Sequence, residues 1–265
     1  MQLVKVPFLK GCTTCQSETK TEQEREWEKI FPVLICICLE GQENRFYAAS
    51  TKLHETGLCR VGFFYRPQKP VSSTIKRKGR YGCRSSHKTV LSWAFSQNLN
   101  ALAVFEDDFL FLKGEPSIET IKKTQSAFHK TQDMLLLGGI PMCGVPIASY
   151  ACKVKAVCMH AYVAKPSLMK HMFFYENKEE DEEAIDWYCM KHFSQTMMFP
   201  QYVVQSCENE SNINQFEGNF SYLHDYLGSK LVFLLRNHSL AYEMFIYGLV
   251  PFLLVLFFLF LQRKK

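Results

Sequence analysis

Residues 82–111 read GCRSSHKTVLSWAFSQNLNALAVFEDDFLF, and the way apolar and polar side chains follow one another here sets the class of fold. Ser85 or Ser86 is the expected cap of a helix that turns Val90, Leu91, Ala94 and Phe95 inward, and Asn98 and Asn100 break it. The run ALAVF that follows is apolar throughout, the pattern of a strand buried on both faces. Three acids, Glu106, Asp107 and Asp108, stand at its carboxyl end, and Phe-Leu-Phe-Leu follows at once. Adjacent like charges repel, so holding them there costs free energy unless something positive neutralises them.

The same alternation extends outward. PVLICICLEG reads as a buried strand ended by Glu40-Gly41, NRFYAASTKLHETGL as a helix stopping at Gly57, and VGFFYRP as a strand closed by Pro67. Downstream, DMLLLGG is a strand stopped by Gly138-Gly139, and AVCMHAYVAK is another. PSLMKHMFF opens a helix with Pro166 in its first turn, DEEAIDWYCMKHF is helical, and FPQYVVQS is a late strand. Strands of this kind between helices predict an α/β sheet covered on both faces, with ligands beyond the carboxyl ends of the strands. In an extended chain Glu106 and Asp108 face one way and Asp107 the other. Two converging hard oxygen ligands suit Mg²⁺ or Mn²⁺, so the expected positive partner is a divalent ion carrying a nucleotide diphosphate. Solvated loop acids are the alternative.

The 265 residues allow one domain of about 200 residues with appendages. The net charge of +5 falls short of a nucleic-acid binder, and the cluster Lys76, Arg77, Lys78 and Arg80 reads as a solvated loop. Eleven cysteines, several within apolar runs, read as buried free thiols of a reducing compartment. Cys12 and Cys15 form a C-x-x-C with no second pair at zinc-ribbon spacing, and read as a tail feature. Residues 244–261 carry no charge; as a helix they span roughly 27 Å, near the thickness of a bilayer's hydrocarbon core. The expected division is an N-terminal extension at 1–30, a catalytic domain at 31–206, a connecting segment at 207–243 and a transmembrane helix at 244–262. The missing signal-peptide pattern and the basic end Arg263, Lys264 and Lys265 favour a cytosolic catalytic domain on a single-pass C-terminal anchor. The sequons at Asn209, Asn219 and Asn237 matter only if the domain lies in the ER or Golgi lumen.

Residues 82–111 resemble the central signature of the family 25 glycosyltransferases, which include lipooligosaccharide and collagen galactosyltransferases. That signature reads G-C-x-x-S-H, a helix, a short turn, apolar residues and E-D-D; Gly82, Cys83, Ser86, His87, Glu106, Asp107 and Asp108 fit it. DMLLLGG, HAYVAKPSLMKHM, AIDWYCMK and FPQYVVQS resemble further family segments in order, and ICICLEGQENRF the opening strand with its Arg, here Arg45. The resemblance spans 31–206. Cys38 departs from it, standing where the family usually places Asn.

The resemblance implies a GT-A-type, Rossmann-like nucleotide-sugar-binding domain. Its expected activity is transfer of galactose or glucose from a UDP-sugar to a glycan, lipid-linked or protein hydroxyl, with inversion. Glu106 and Asp108 are then the ligands of Mn²⁺ or Mg²⁺, with Arg45, Ser86, His87 and Asp107 at the nucleotide. Asp186 is the first candidate for the base that takes the acceptor proton, and Glu183 the second. Each has a plainer reading: His87 as a cap or local packing, Arg45 as partner of an ordinary carboxylate, Glu183 as part of a solvated acidic run. His160 reads as structural, Trp187 as core or as an acceptor-stacking ring, and His224, outside the resemblance, as a residue without a metal role rather than the late His that completes a metal shell in related folds. The rival function is a catalytically inactive, membrane-tethered scaffolding relative.

Overall fold

Apolar runs of four or five residues, too short to form stable helices, supply three neighbouring strands of the main sheet. The computed structural model describes residues 1–7, 19–71, 75, 77–111, 116–176, 183–199 and 201–205. Nine strands are described: β1 (Leu3–Lys5), β2 (Leu34–Ile37), β3 (Gly62–Tyr65), β4 (Leu102–Glu106), β5 (Phe109–Phe111), β6 (Met134–Ala148), β7 (Ala151–Ala164), β8 (Gln195–Met198) and β9 (Val203–Gln205). Six helices accompany them: α1 (Glu22–Glu28), α2 (Glu43–Glu55), α3 (Lys78–Ser96), α4 (Ile118–Lys130), α5 (Pro166–Phe174) and α6 (Ile185–His192).

The main sheet has the order β1-β3-β2-β4-β7-β6-β8. β2 runs parallel to both β3 and β4, β7 is antiparallel to β4 and β6, and β8 is parallel to β6. β5 and β9 form a separate two-stranded sheet. Period-two alternation divides the core in two. Ala103 and Phe105 of β4 pack with Trp27 of α1, Phe46, Ala49 and Leu53 of α2, and Ile121 of α4. Leu102 and Val104 pack with Val90, Leu91 and Ala94 of α3, Leu168 and Met172 of α5, and Cys189 of α6. The expected α/β sheet with two covered faces is therefore observed, with β7 making it mixed rather than all parallel, and each large apolar side chain buried this way contributes about 1.5–3 kcal/mol.

Several boundaries differ from those expected. α3 begins at Lys78, before Ser85 and Ser86, which lie within it; Gly79 and Gly82 disguise its first turns. β6 does not stop at Gly138-Gly139 but continues to Ala148, because register shifts beside Gly138, Pro141 and Pro146 let the hairpin with β7 bend without ending. Its far half brings β7 alongside β8 as well. A Cβ on Gly138 would stand 2.0 Å from the Val203 carbonyl oxygen and 2.6 Å from His160 Nε2, so only glycine lets β9 approach. Leu3–Lys5 pairs with β3, and Trp27 lies in the core, so residues placed in an N-terminal extension take part in the domain's packing.

No helix among the described residues is long and apolar enough to cross a membrane. The expected connecting segment and transmembrane helix, the three sequons, His224, and the Cys12–Cys15 motif lie outside the described residues. The eight described cysteines are all free thiols.

Candidate functional site

The chain leaves β2 toward β3 on one side, and β4 returns on the other side of β2. At such a reversal the carboxyl ends of two parallel strands part and leave a crevice. Glu106 pairs with Ile37 at this point, and the cleft above is lined by Ile37, Leu39, Arg45, Lys69, Lys78 and Cys83, together with His87, Gln205 and the three acids.

Glu106 shares the parity of Leu102 and Val104 and so faces α3. Its Oε1 lies 3.1 Å from His87 Nε2, while His87 Nδ1 lies 2.9 Å from the Tyr162 hydroxyl. Only 1 % of the His87 side chain is exposed, and its ring stacks on Tyr162. Burial pushes the Glu106 carboxyl up, but the hydrogen bond and charge of His87 outweigh it and hold the group below the ordinary carboxylate range.

Asp107 has the opposite parity and meets α2, where Arg45 forms an ion pair with it. The chain turns at once into β5, so the alternation ends there. Asp108 consequently reaches the same guanidinium, with Oδ2 3.3 Å from Arg45 Nη2, and accepts a 2.9 Å hydrogen bond from Gln205 of β9. The expected separation of Glu106 and Asp108 from Asp107 is thus altered: Asp107 and Asp108 share one cation, and Glu106 leans on the other helix. Burial pushes Asp107 up to about 6 despite Arg45. Asp108 also lies above its ordinary range, through burial first and the Glu106 charge next.

Asp107 and Asp108 thus share one guanidinium, which leaves negative charge over on that side. The Oδ1 atom of Asp108 is buried without a hydrogen bond, and the buried His160 ring, set against the Val203 and Cys158 backbone, is close enough to feel Glu106 and Asp108. A buried polar atom without a partner costs about 1–3 kcal/mol, and a carboxylate oxygen left open beside surplus negative charge fits a divalent cation.

Other expected site residues are placed as follows. Ser86 lines the cleft, but its hydroxyl donates back to the Gly82 carbonyl within α3 at 2.7 Å. Asp186 is not among the cleft-lining residues; its two oxygens accept the backbone N–H groups of Cys158 and Trp187 at 3.0 and 2.8 Å. Cys158 has φ 60°, so the first of these bonds braces a left-handed backbone in β7. Asp186 is close enough to add to the upward push on the Cys83 thiol. Glu183 forms a surface ion pair with Lys191, away from the cleft. Trp187 is 45 % exposed, not core, because it occupies the solvent side of the short helix α6. Cys38 is buried, its thiol against the carbonyls of Leu39 and Gln42.

Sequence reasoning missed Gln205, Lys69, Lys78 and Tyr162. Only the β5–β9 pairing brings Gln205 to Asp108, across 97 positions, and no local pattern signals that. Cys83 and His87 stand four apart in one helix, a spacing that does place two side chains on one face.

No protein-family model matches the chain, and no curated protein matches it in sequence. Among solved structures, A197 from STIV superposes with a TM-score of 0.40 at 7% identity, covering 67% of this chain and 94% of that one. UDP-glucose pyrophosphorylase complexed with UDP-glucose gives 0.38 at 10% identity, covering 66% and 75%. Likeness at this level is loose, and the reading of the cleft rests on its own residues.

Proposed function

We propose that the cleft binds a sugar nucleotide with a divalent cation, and that the chain transfers the sugar to a hydroxyl acceptor as a membrane-tethered relative of the family 25 glycosyltransferases. The observation that carries this reading is the surplus of buried carboxylate at the switch point of the sheet, with Asp108 Oδ1 left without a partner.

Glu106 and Asp108 are the residues to hold Mn²⁺ or Mg²⁺, with His160 within electrostatic reach. When bound, such an ion neutralises charge on a diphosphate and on the departing nucleotide. His87, fixed by Tyr162, holds Glu106 in place. The first turn of α3 has no side-chain cap, its Lys78 and Gly79 line the same cleft, and Lys69 adds positive charge at its edge. These groups suit phosphate oxygens. Asp186 does not line the cleft but lies within electrostatic reach of Cys83, which does; it is the acid we take as acceptor of the incoming hydroxyl's proton, using lone pairs beyond its two backbone hydrogen bonds. The 244–262 segment would tether the domain to a membrane, with the domain on the cytosolic side.

One observation favours the inactive scaffold instead: Arg45 already neutralises part of the acidic cluster. Turnover separates the two. Full-length protein with UDP-galactose or UDP-glucose and Mn²⁺ should release UDP, EDTA should stop it, and Asp108→Ala should weaken metal-dependent UDP binding by about a hundredfold or more. Release that ignores the chelator would sink the metal assignment, and an Asp108→Ala chain that binds UDP normally would favour the scaffold.

A further inference from the structure

On the α3 side of the cleft a second set of donors converges. Cys83 Sγ lies 3.9 Å from Glu106 Oε1, His87 Nε2 lies 3.1 Å from the same oxygen, and all three atoms fall within 4.8 Å of one another. Around a tetrahedral Zn²⁺ with bonds of 2.0–2.3 Å, neighbouring ligand atoms stand about 3.3–3.8 Å apart, so small side-chain adjustments suffice. Among the described residues this is the one group of three or more His, Cys, Asp or Glu side chains placed so. All three line the cleft, which leaves an open coordination position. The Tyr162 hydroxyl at His87 Nδ1 is the orienting contact that metal-binding histidines carry.

We propose that Cys83, His87 and Glu106 form a site for a thiolate-preferring divalent ion, Zn²⁺ above all, distinct in chemistry from the oxygen-donor ion assigned to Glu106 and Asp108. Without a metal, a proton must lie between His87 Nε2 and Glu106 Oε1. Zinc takes that position, and the displaced proton leaves to solvent. The Cys83 thiol gives its proton to solvent, His87 carries its hydrogen on Nδ1 toward Tyr162, and Nε2, Sγ and Oε1 each donate a lone pair. The high proton affinity that burial gives Cys83 makes the free thiol a poor nucleophile and makes uptake release a proton. Both ions would draw on Glu106, so zinc acts as a competitor of the oxygen-bound ion; this consequence alone rests on the sugar-nucleotide reading.

The test uses Co²⁺, whose bond to a thiolate gives a charge-transfer band in the near ultraviolet. Full-length protein freed of metal should develop that band at one equivalent of Co²⁺ and lose it when Zn²⁺ is added. Cys83→Ser should abolish it, and His87→Gln should weaken Co²⁺ binding by about a hundredfold, each variant first checked for native circular dichroism. Cys12→Ser/Cys15→Ser should leave the band intact. No band in the wild type, or a band that survives Cys83→Ser, overturns the site. Should Cys83→Ser not fold, persistence of the band at wild-type affinity in His87→Gln overturns it equally. In the turnover assay, Zn²⁺ should inhibit the wild type and spare Cys83→Ser. A cobalt band without turnover would leave the site standing and the transferase reading fallen.

Discussion

Glu106 and Asp107 are neighbours in the chain, yet they belong to different faces of the sheet and behave in opposite ways. Glu106 lies against a histidine of α3 and is held below its ordinary range, whereas Asp107 touches the guanidinium of α2 and is pushed up to about 6. The stronger cation has the weaker effect because it is divided between Asp107 and Asp108, whose like charges also oppose each other's ionisation. An ion pair therefore does not settle protonation; what counts is charge per acid against desolvation. The α2 side is the strained half of the site, and the α3 side is already in balance.

Removing Arg45 should have the largest effect on this contrast. Arg45→Met leaves two buried acids without a cation, and breaking a buried pair from one side costs about 3–5 kcal/mol. We expect a matching loss in urea unfolding at neutral pH, largely recovered by adding Asp107→Asn. A loss below about 1 kcal/mol would mean that solvent reaches the acids and that the contrast is only one of geometry.

Gly138→Ala breaks the same half from behind. The new methyl would meet the Val203 carbonyl and the His160 ring, so β9 must retreat and carry Gln205 from Asp108, while His87 and Glu106 stay in place. Overpacking of this kind costs about 1–3 kcal/mol. Thermal unfolding reads the cost. The zinc site should keep its affinity in this variant, and equal damage to both halves would show that they are not separable.

Stability against pH sharpens the comparison next. A carboxyl that titrates at about 6 when folded and near the ordinary aspartate value of 3.8 when unfolded binds its proton more tightly in the native state. Its contribution is complete below the unfolded value and is lost as pH rises through the folded one, by about 2–3 kcal/mol across that window. Glu106 has the opposite sign, since its contribution is present at neutral pH and is lost as pH falls below the ordinary carboxylate range. Asp107→Asn should therefore flatten the decline between about pH 4 and 6, and Glu106→Gln should flatten the fall at lower pH. Melting curves of the three proteins across that range check both signs.

The two halves also differ in how far they could be read from the chain. The apolar runs of β2, β3 and β4, the Pro166 start of α5 and the three acids all announce themselves, because each depends on neighbours within a few positions. β8 does not: Gln195 and Thr196 look polar, yet both are buried, and the Gln195 amide bonds the N–H and carbonyl of Ala156. Gln201 clamps Gly139 in the same manner, which lets β6 run on where two glycines signal an end. α4 went unread although Ser117 caps it and Ile121, Thr124 and Phe128 mark its inner face. The acids were legible as a group. Their division between Arg45 and His87 was not, because it follows from the turn after Glu106 and from which helix covers which face.

The smallest effect belongs to Glu183, which tests whether any of this charge logic extends to the surface. Its carboxylate pairs with Lys191, and both side chains are partly in water. Exposed pairs contribute about 0–1 kcal/mol, less in salt, and Glu183 does not line the cleft. Glu183→Gln should change the melting temperature within experimental error and leave turnover within about twofold of wild type. Asp186→Asn, by contrast, should lower kcat by about a hundredfold or more if Asp186 takes the acceptor's proton. If the order of these two were reversed, proton transfer would lie with a surface acid, and the cleft around Glu106 would be a binding site without the chemistry assigned to it.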